Sequence, residues 1–261
     1  MNRMTKILDE MRIRGEKALV LYFPVGDPVV EKDADWAEKY FNSGATILEI
    51  GMPYCKPYLD GKVVSESMKR AWDRHSNDEV FALIAEIRQR CPDKILQVMT
   101  YFGSIAYEGI ESFARKCVQA GVDAVQSPDI PEDQWDTVSE IFERHGLLNL
   151  HFVPFRFSGS MLERLRQAKG YIFLQAVDGG TGVRESVSPE IARNIRRMRE
   201  AGVSIPIIPG FGIGTPEQAA EVLAMGADGV VVGSAVVNSL LEGRGETFIK
   251  QLRQAGDKVP V

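Results

Sequence analysis

Eight short stretches of the chain are apolar at nearly every position, and the longer stretches between them carry apolar residues only at three- and four-residue spacing. The first kind falls at 18–23, 46–50, 95–99, 124–126, 148–152, 171–176, 205–208 and 229–232. Continuous hydrophobicity, in place of strict alternation, marks a strand buried on both faces, as in a parallel sheet covered by helices. The second kind predicts helices at 3–12, 33–42, 64–72, 79–91, 110–120, 131–145, 160–168, 188–201, 216–225, 236–241 and 246–254. Trp36, Ala37, Tyr40 and Phe41 illustrate the helical spacing. Gly121, Gly146, Gly202 and Gly226 each stand just past a predicted helix, where a left-handed residue closes the last turn. Thr215-Pro216-Glu217 puts a capping hydroxyl ahead of a proline at the first helical position. Eight strand–helix alternations in 261 residues predict an α/β protein, a (β/α)8 TIM barrel with a short N-terminal helix. The competing arrangement, an open doubly wound sheet, usually opens on a Gly-x-Gly-x-x-Gly turn that is absent here. No Pro/Gly/Ser-rich linker interrupts the pattern, so residues 1–261 read as a single domain.

Composition narrows the ligands. The charge is −5, from 31 basic and 36 acidic residues, which argues against nucleic acid as a partner. It leaves a small anion open, because backbone N–H groups can hold one whatever the net charge. The uncharged run 229–241 is too short to span a bilayer, and residues 1–17 lack the apolar run of a signal peptide, so neither a membrane nor secretion is expected. Cys55, Cys91 and Cys117 form no Cys-x-x-Cys, and His75, His145 and His151 show no metal-ligand spacing. A cytoplasmic protein with reduced thiols and no metal is the expectation.

In a barrel, the C-terminal strand ends and the loops after them carry the chemistry. Glu49 interrupts an apolar strand near that end. It is either a structural ion pair or an acid–base group whose pKa burial would raise. Asp60 lies in the following Pro- and Gly-containing loop, either as a turn former before Gly61 or as a second carboxylate on the same substrate. Three glycine turns, Gly179-Gly180-Thr181-Gly182, Gly210-Phe211-Gly212-Ile213-Gly214 and Gly233-Ser234-Ala235, follow the last three strands. Together they suggest a phosphate site, with Ser234 at the start of a short helix. Trp36 and Trp72 read as core residues and Trp135 as a surface or seam residue. His75 reads as solvated, and His151 as either lumen-facing or core. Arg156 and Arg184 are anion-binding or solvated loop arginines.

These pieces, in their order and spacing, resemble the tryptophan synthase α subunit family along nearly the whole chain. The carrying segments are Gly26-Asp27-Pro28, Leu48-Glu49-Ile50-Gly51-Met52-Pro53 with Pro57, Asp60 and Gly61, Met99-Thr100-Tyr101, Asp129-Ile130-Pro131, Gly180-Thr181-Gly182, Gly210-Phe211-Gly212 and Gly233-Ser234-Ala235. The resemblance implies cleavage of indole-3-glycerol phosphate to indole and glyceraldehyde 3-phosphate by a retro-aldol reaction, with neither metal nor organic cofactor. It implies Glu49 as general acid–base and Asp60 as acceptor of the indole N–H. It also implies Tyr22, Thr100, Gln126, Phe173, Thr181 and Phe211 as substrate contacts, and Gly182, Gly212, Gly233 and Ser234 as the phosphate cradle. The family works with a pyridoxal-phosphate β subunit that consumes the indole.

Several positions depart from the family pattern. Pro53-Tyr54-Cys55-Lys56-Pro57 replaces the usual Pro-Phe-Ser-Asp-Pro, reversing a charge at Lys56. Gly103 and Ser104 stand where the loop after strand 3 usually reads Asn-Pro, and with Lys56 they alter the face expected toward the β subunit. Phe173 replaces a tyrosine, and Gln126 stands where an apolar pocket residue is usual. Two alternatives therefore accompany the indole-3-glycerol phosphate lyase. One is a diverged lyase or aldolase of specialised metabolism acting on another glycerol-phosphate-type substrate. The other is a non-catalytic partner subunit that binds a phosphorylated ligand.

Overall fold

The computed structural model describes residues 1–30, 32–177 and 187–259. Eight parallel strands form a ring: β1 (Ala18–Phe23), β2 (Ile47–Gly51), β3 (Ile95–Met99), β4 (Ala124–Gln126), β5 (Leu148–Val153), β6 (Ile172–Gln175), β7 (Ile207–Gly210) and β8 (Gly229–Val232). Their hydrogen-bonded order is β7-β6-β5-β4-β3-β2-β1-β8, and β7 and β8 meet at the seam, where the Asp228 N–H donates to the Ile207 carbonyl at 3.0 Å. The barrel, and not the open sheet, is the fold. Around it, among the described residues, lie twelve helices: α1 (Arg3–Arg14), α2 (Asp33–Asn42), α3 (Lys62–Trp72), α4 (Asn77–Arg90), α5 (Phe102–Glu108), α6 (Ile110–Gln119), α7 (Trp135–Arg144), α8 (Gly159–Leu165), α9 (Glu190–Glu200), α10 (Pro216–Ala224), α11 (Ser234–Leu241) and α12 (Gly245–Asp257). The four expected glycines after helices all have positive φ, from 79° to 95°. Thr215 caps α10 by accepting the Gln218 N–H at 3.2 Å. Helix α5 has no counterpart in the sequence pattern. Its first N–H, at Phe102, is held by Asp129 Oδ1 at 2.7 Å, a cap supplied by another loop and invisible to local patterning.

The continuous hydrophobicity of the strands resolves into two alternating sets. Val20, Ile47, Ile95, Ala124, Leu150 and Ile208 face the lumen, where Met4, Leu8 and Met11 of α1 plug the N-terminal mouth. Leu21, Leu48, Val98, Val125, Ile172 and Val230 face the helix layer. This alternation decides the orientation of two candidate residues. Thr100 follows the inward Met99; it is fully buried and does not line the C-terminal mouth of the barrel. His151 pairs in register with the outward Ile172 and packs on Trp135 of α7, ring centroids 4.4 Å apart, which corrects its lumen-facing reading. Burial holds its pKa down to about 4, so the ring is neutral there. Trp72, expected in the core, is 44% exposed at the end of α3, and His75 is half-buried against Gly26.

Two aspartates tie the N-terminal end of the ring. Asp123, just before β4, accepts the Leu96 N–H of β3 at 2.9 Å and Arg88 Nη2 of α4 at 2.8 Å on one oxygen, and Arg3 of α1 on the other. Arg88 Nη1 also reaches the carbonyls of Cys91 and Lys94 between α4 and β3. Asp228, just before β8, accepts the Ile207 N–H of β7 at 2.7 Å and pairs with Arg199 of α9. Arg199 Nη1 in turn holds the carbonyls of Val203 and Ile205. Replacing Asp123 by Ala would leave the largely buried Arg88 without its carboxylate. Asp123→Ala is expected to lose about 3–5 kcal/mol of unfolding free energy, read from the denaturant midpoint; a loss under about 1 kcal/mol would contradict the role given to this tie.

Candidate active site

The C-terminal mouth of the barrel opens into a recess lined by residues of β1 to β6, β8 and the loops that follow the strands. Glu49 reaches it from β2. Parallel pairing sets Glu49 level with Tyr22 of β1 on one side and Gln97 of β3 on the other. Gln97 Nε2 donates to Glu49 Oε1 at 3.0 Å, while Gln97 Oε1 accepts the Tyr171 hydroxyl at 2.8 Å. The carboxyl is 4% exposed, and no cation pairs with it among the described residues, so the ion-pair reading fails. Burial first, and then the neighbouring Asp60, push its pKa up to about 8 against the opposing Gln97 hydrogen bond. The Tyr22 hydroxyl is buried in the same place with no hydrogen-bond partner. It occupies the volume a side chain at Gly51 would need, since a Cβ there would lie 2.2 Å from the Tyr22 oxygen.

Asp60 enters from the loop between β2 and α3, and aromatic packing fixes its place. The Tyr101 hydroxyl donates to Asp60 Oδ2 at 2.7 Å and accepts the Leu59 N–H at 3.0 Å. Tyr54 stacks on the Tyr101 ring at 4.7 Å, and Tyr58 leans on it at 5.0 Å. Tyr58 is anchored in turn by donating to Asp129 Oδ2 at 2.7 Å. Burial raises the Asp60 pKa to about 6, opposed by the Tyr101 hydrogen bond. Below the loop, buried Asp27 clamps α3, accepting two hydrogen bonds from Arg70 at 2.9 and 2.7 Å and one from Ser67.

Across the recess, the β7 end turns through Phe211, at φ 73°, and Gly212, at φ 81°. Positive φ is strained for Phe211 and is offset by packing, since its ring meets Phe152 at 5.8 Å and Phe173 at 5.6 Å. Gly233 leads into α11, whose first turn no side chain caps, leaving N–H groups and the positive end of the helix dipole available. The Ser234 hydroxyl is buried there without a partner. Catalytic-type carboxyls thus lie on the β2 side of the mouth and an anion-suited edge on the β7–β8 side.

Nine of the expected residues line this recess: Tyr22, Glu49, Asp60, Gln126, Phe173, Phe211, Gly212, Gly233 and Ser234. Thr181, Gly182 and Arg184 lie outside the described residues. Pattern reading missed Gln97, Tyr101 and Tyr171, which hold the two carboxyls. Gln97 carried a signal, because it is a polar interruption of an apolar strand just as Glu49 is. On the expected partner face Lys56 and Gly103 are exposed, but Ser104 is buried in α5 and offers no contact.

The tryptophan synthase alpha chain family model matches residues 8–258. Among curated relatives, the tryptophan synthase alpha chain of Synechocystis sp. is 34% identical, covering 98% of this chain and 99% of its own. That of Synechococcus elongatus is 35% identical, covering 99% of each. Among solved structures, tryptophan synthase subunit alpha from Legionella pneumophila superposes with a TM-score of 0.88 at 28% identity, covering 99% of this chain and 100% of that one. A chain of Mycobacterium tuberculosis tryptophan synthase does so with a TM-score of 0.85 at 27% identity, covering 97% and 98%. The family match along almost the whole chain agrees with the barrel, and the chain belongs to the tryptophan synthase alpha chain family.

Proposed function

We propose that this protein is a carbon–carbon lyase that cleaves indole-3-glycerol phosphate to indole and glyceraldehyde 3-phosphate, and that Glu49 and Asp60 carry the reaction. The observation that bears most of the argument is the difference between the two carboxyls: one is buried and keeps its proton to about 8, the other is held by Tyr101 and ionises at about 6. Two carboxyls driven apart in this way suit one acid and one anion at neutral pH.

In this reading the protonated Glu49 gives its proton to indole C3, making the ring a cationic indolenine. The Asp60 carboxylate accepts the ring N–H and stabilises that cation. Glu49, now a carboxylate, takes the proton of the carbinol hydroxyl. The C–C bond breaks as the aldehyde forms, and its electron pair returns to the ring. Glu49 ends protonated, so the cycle needs no outside acid. Gln97 keeps the Glu49 carboxyl oriented through the step. The Gly212 turn, Gly233, Ser234 and the α11 N-terminus would hold the phosphate, with Gly182 assigned there, and Thr181 as a substrate contact, from the family pattern. Phe173, Phe211, Phe152 and Val231 form apolar walls for a flat ring. A β subunit is the partner implied by the family, with Lys56 and Gly103 on the face expected to meet it. No described helix is long and apolar enough to cross a membrane.

Release of indole from indole-3-glycerol phosphate by the purified protein, alone and with a tryptophan synthase β subunit, is the direct test; no indole under either condition removes this reading. The active form has Asp60 ionised and Glu49 protonated. The profile of log kcat/KM should therefore rise through about 6 and fall through about 8, and a profile flat between those limits and alkaline pH would remove Glu49 as the acid. Glu49→Gln is expected to abolish turnover. The unfolded chain releases the Glu49 proton near the ordinary carboxyl range, whereas the folded chain keeps it to about 8. The associated stability is therefore complete in acid and is lost as pH rises, at about 1.4 kcal/mol per unit between the two values. Thermal unfolding should show Glu49→Gln more stable than the parent protein at about pH 9, with the gap closing toward about pH 5.

A further inference from the structure

The remaining departure in the recess is Gln126. It ends β4, in register with Met99 of β3 and Leu150 of β5, and faces the lumen as the next inward position after Ala124. It is 2% exposed and lines the recess. Among the described residues its side-chain amide has no hydrogen-bond partner, and the nearby lining side chains Met99, Pro128 and Phe152 offer none. The protein thus leaves this amide without a partner at the recess wall, and whatever fills the recess is placed to supply one.

The order of strands says which end of the ligand that is. The anion-suited edge lies at β7 and β8, and in a ring of eight strands β4 stands across from β8. Glu49 and Asp60 act between these two edges. A ligand held by its phosphate at Gly212, Gly233 and Ser234 therefore meets Gln126 with its opposite end. In the lyase reading, on which this inference rests, that end is the six-membered ring of the indole. An unsubstituted ring edge neither accepts nor donates there.

We propose that Gln126 is a specificity-determining residue and that the preferred substrate is an indole-3-glycerol phosphate whose six-membered ring carries a hydrogen-bonding substituent, a hydroxyl above all, on the edge remote from the glycerol phosphate arm. A hydroxyl both donates and accepts, and so serves either face of the amide. A site built to bond such a group discriminates against the analogue that lacks it, because the protein amide is then left unpaired.

The test measures kcat/KM for indole-3-glycerol phosphate and for its ring-hydroxylated counterparts, substituted in turn at each carbon of the six-membered ring. It uses the parent protein, Gln126→Leu and Gln126→Met. In parallel, calorimetric titration compares the non-cleavable 3-(indol-3-yl)propyl phosphate with its hydroxylated forms. The parent protein should prefer at least one hydroxylated ring by about tenfold or more in both measurements, and both variants should reverse that preference. A preference for the unsubstituted ring, a preference that survives both substitutions, or no binding of any analogue overturns the proposal. Hydroxylated analogues bound in the expected order but no substrate cleaved would support the role of Gln126 and remove the lyase reading instead.

Discussion

The structure turns on a carboxyl group set inside a closed ring of strands with no cation paired to it among the described residues. Glu49 faces the lumen because β2 alternates, and at its level the barrel offers one amide, from Gln97. A carboxylate in that position is expensive, so the group keeps its proton well above the ordinary range. The rest of the mouth is arranged around this fact. Tyr171 fixes the face that Gln97 presents, and Tyr101 carries Asp60 into range. Asp60 in turn raises the cost of ionising Glu49.

Much of this was legible in the sequence. All eight strands lie within two residues of the positions that hydrophobic runs assign, and the glycines expected after helices adopt the left-handed conformation. Glu49 stood out because a charge in an apolar strand must be explained. The helix α5 was not legible because Asp129, far along the chain, caps it. The orientations of Thr100 and His151 were not legible either. A strand buried on both faces shows no alternation to read, and only the register with its neighbours separates inward from outward. Nothing in the sequence marks Tyr54, Tyr58 and Tyr101 as neighbours; their stacking beside Asp60 appears only when the loops after β2 and β3 come together.

Side-chain polarity falls unevenly around the mouth: Gln97 and Gln126 put amides on the inward positions of β3 and β4, whereas Phe152, Phe173 and Phe211 line the side of β5 to β7. Polar side chains inside a barrel need partners. Gln97 finds two within the protein, at 3.0 and 2.8 Å, and serves to position a carboxyl. Gln126 finds none among the described residues and lines the recess.

The paired ties at Asp123 and Asp228 bear on this unevenness. Each aspartate precedes a strand, holds an N–H of the strand before it, and meets an arginine from the helix before that, which also gathers the carbonyls of the intervening loop. The same device recurs four strands apart, so each half of the barrel is fastened at its own base. Glu49, Asp60, Gln97 and Gln126 belong to the first half; Gly212, Gly233 and Ser234 belong to the second. The carboxyls and amides of the mouth therefore rest on one fastening and the glycine turns on the other, while the aromatic wall of Phe152, Phe173 and Phe211 is carried with the glycine turns.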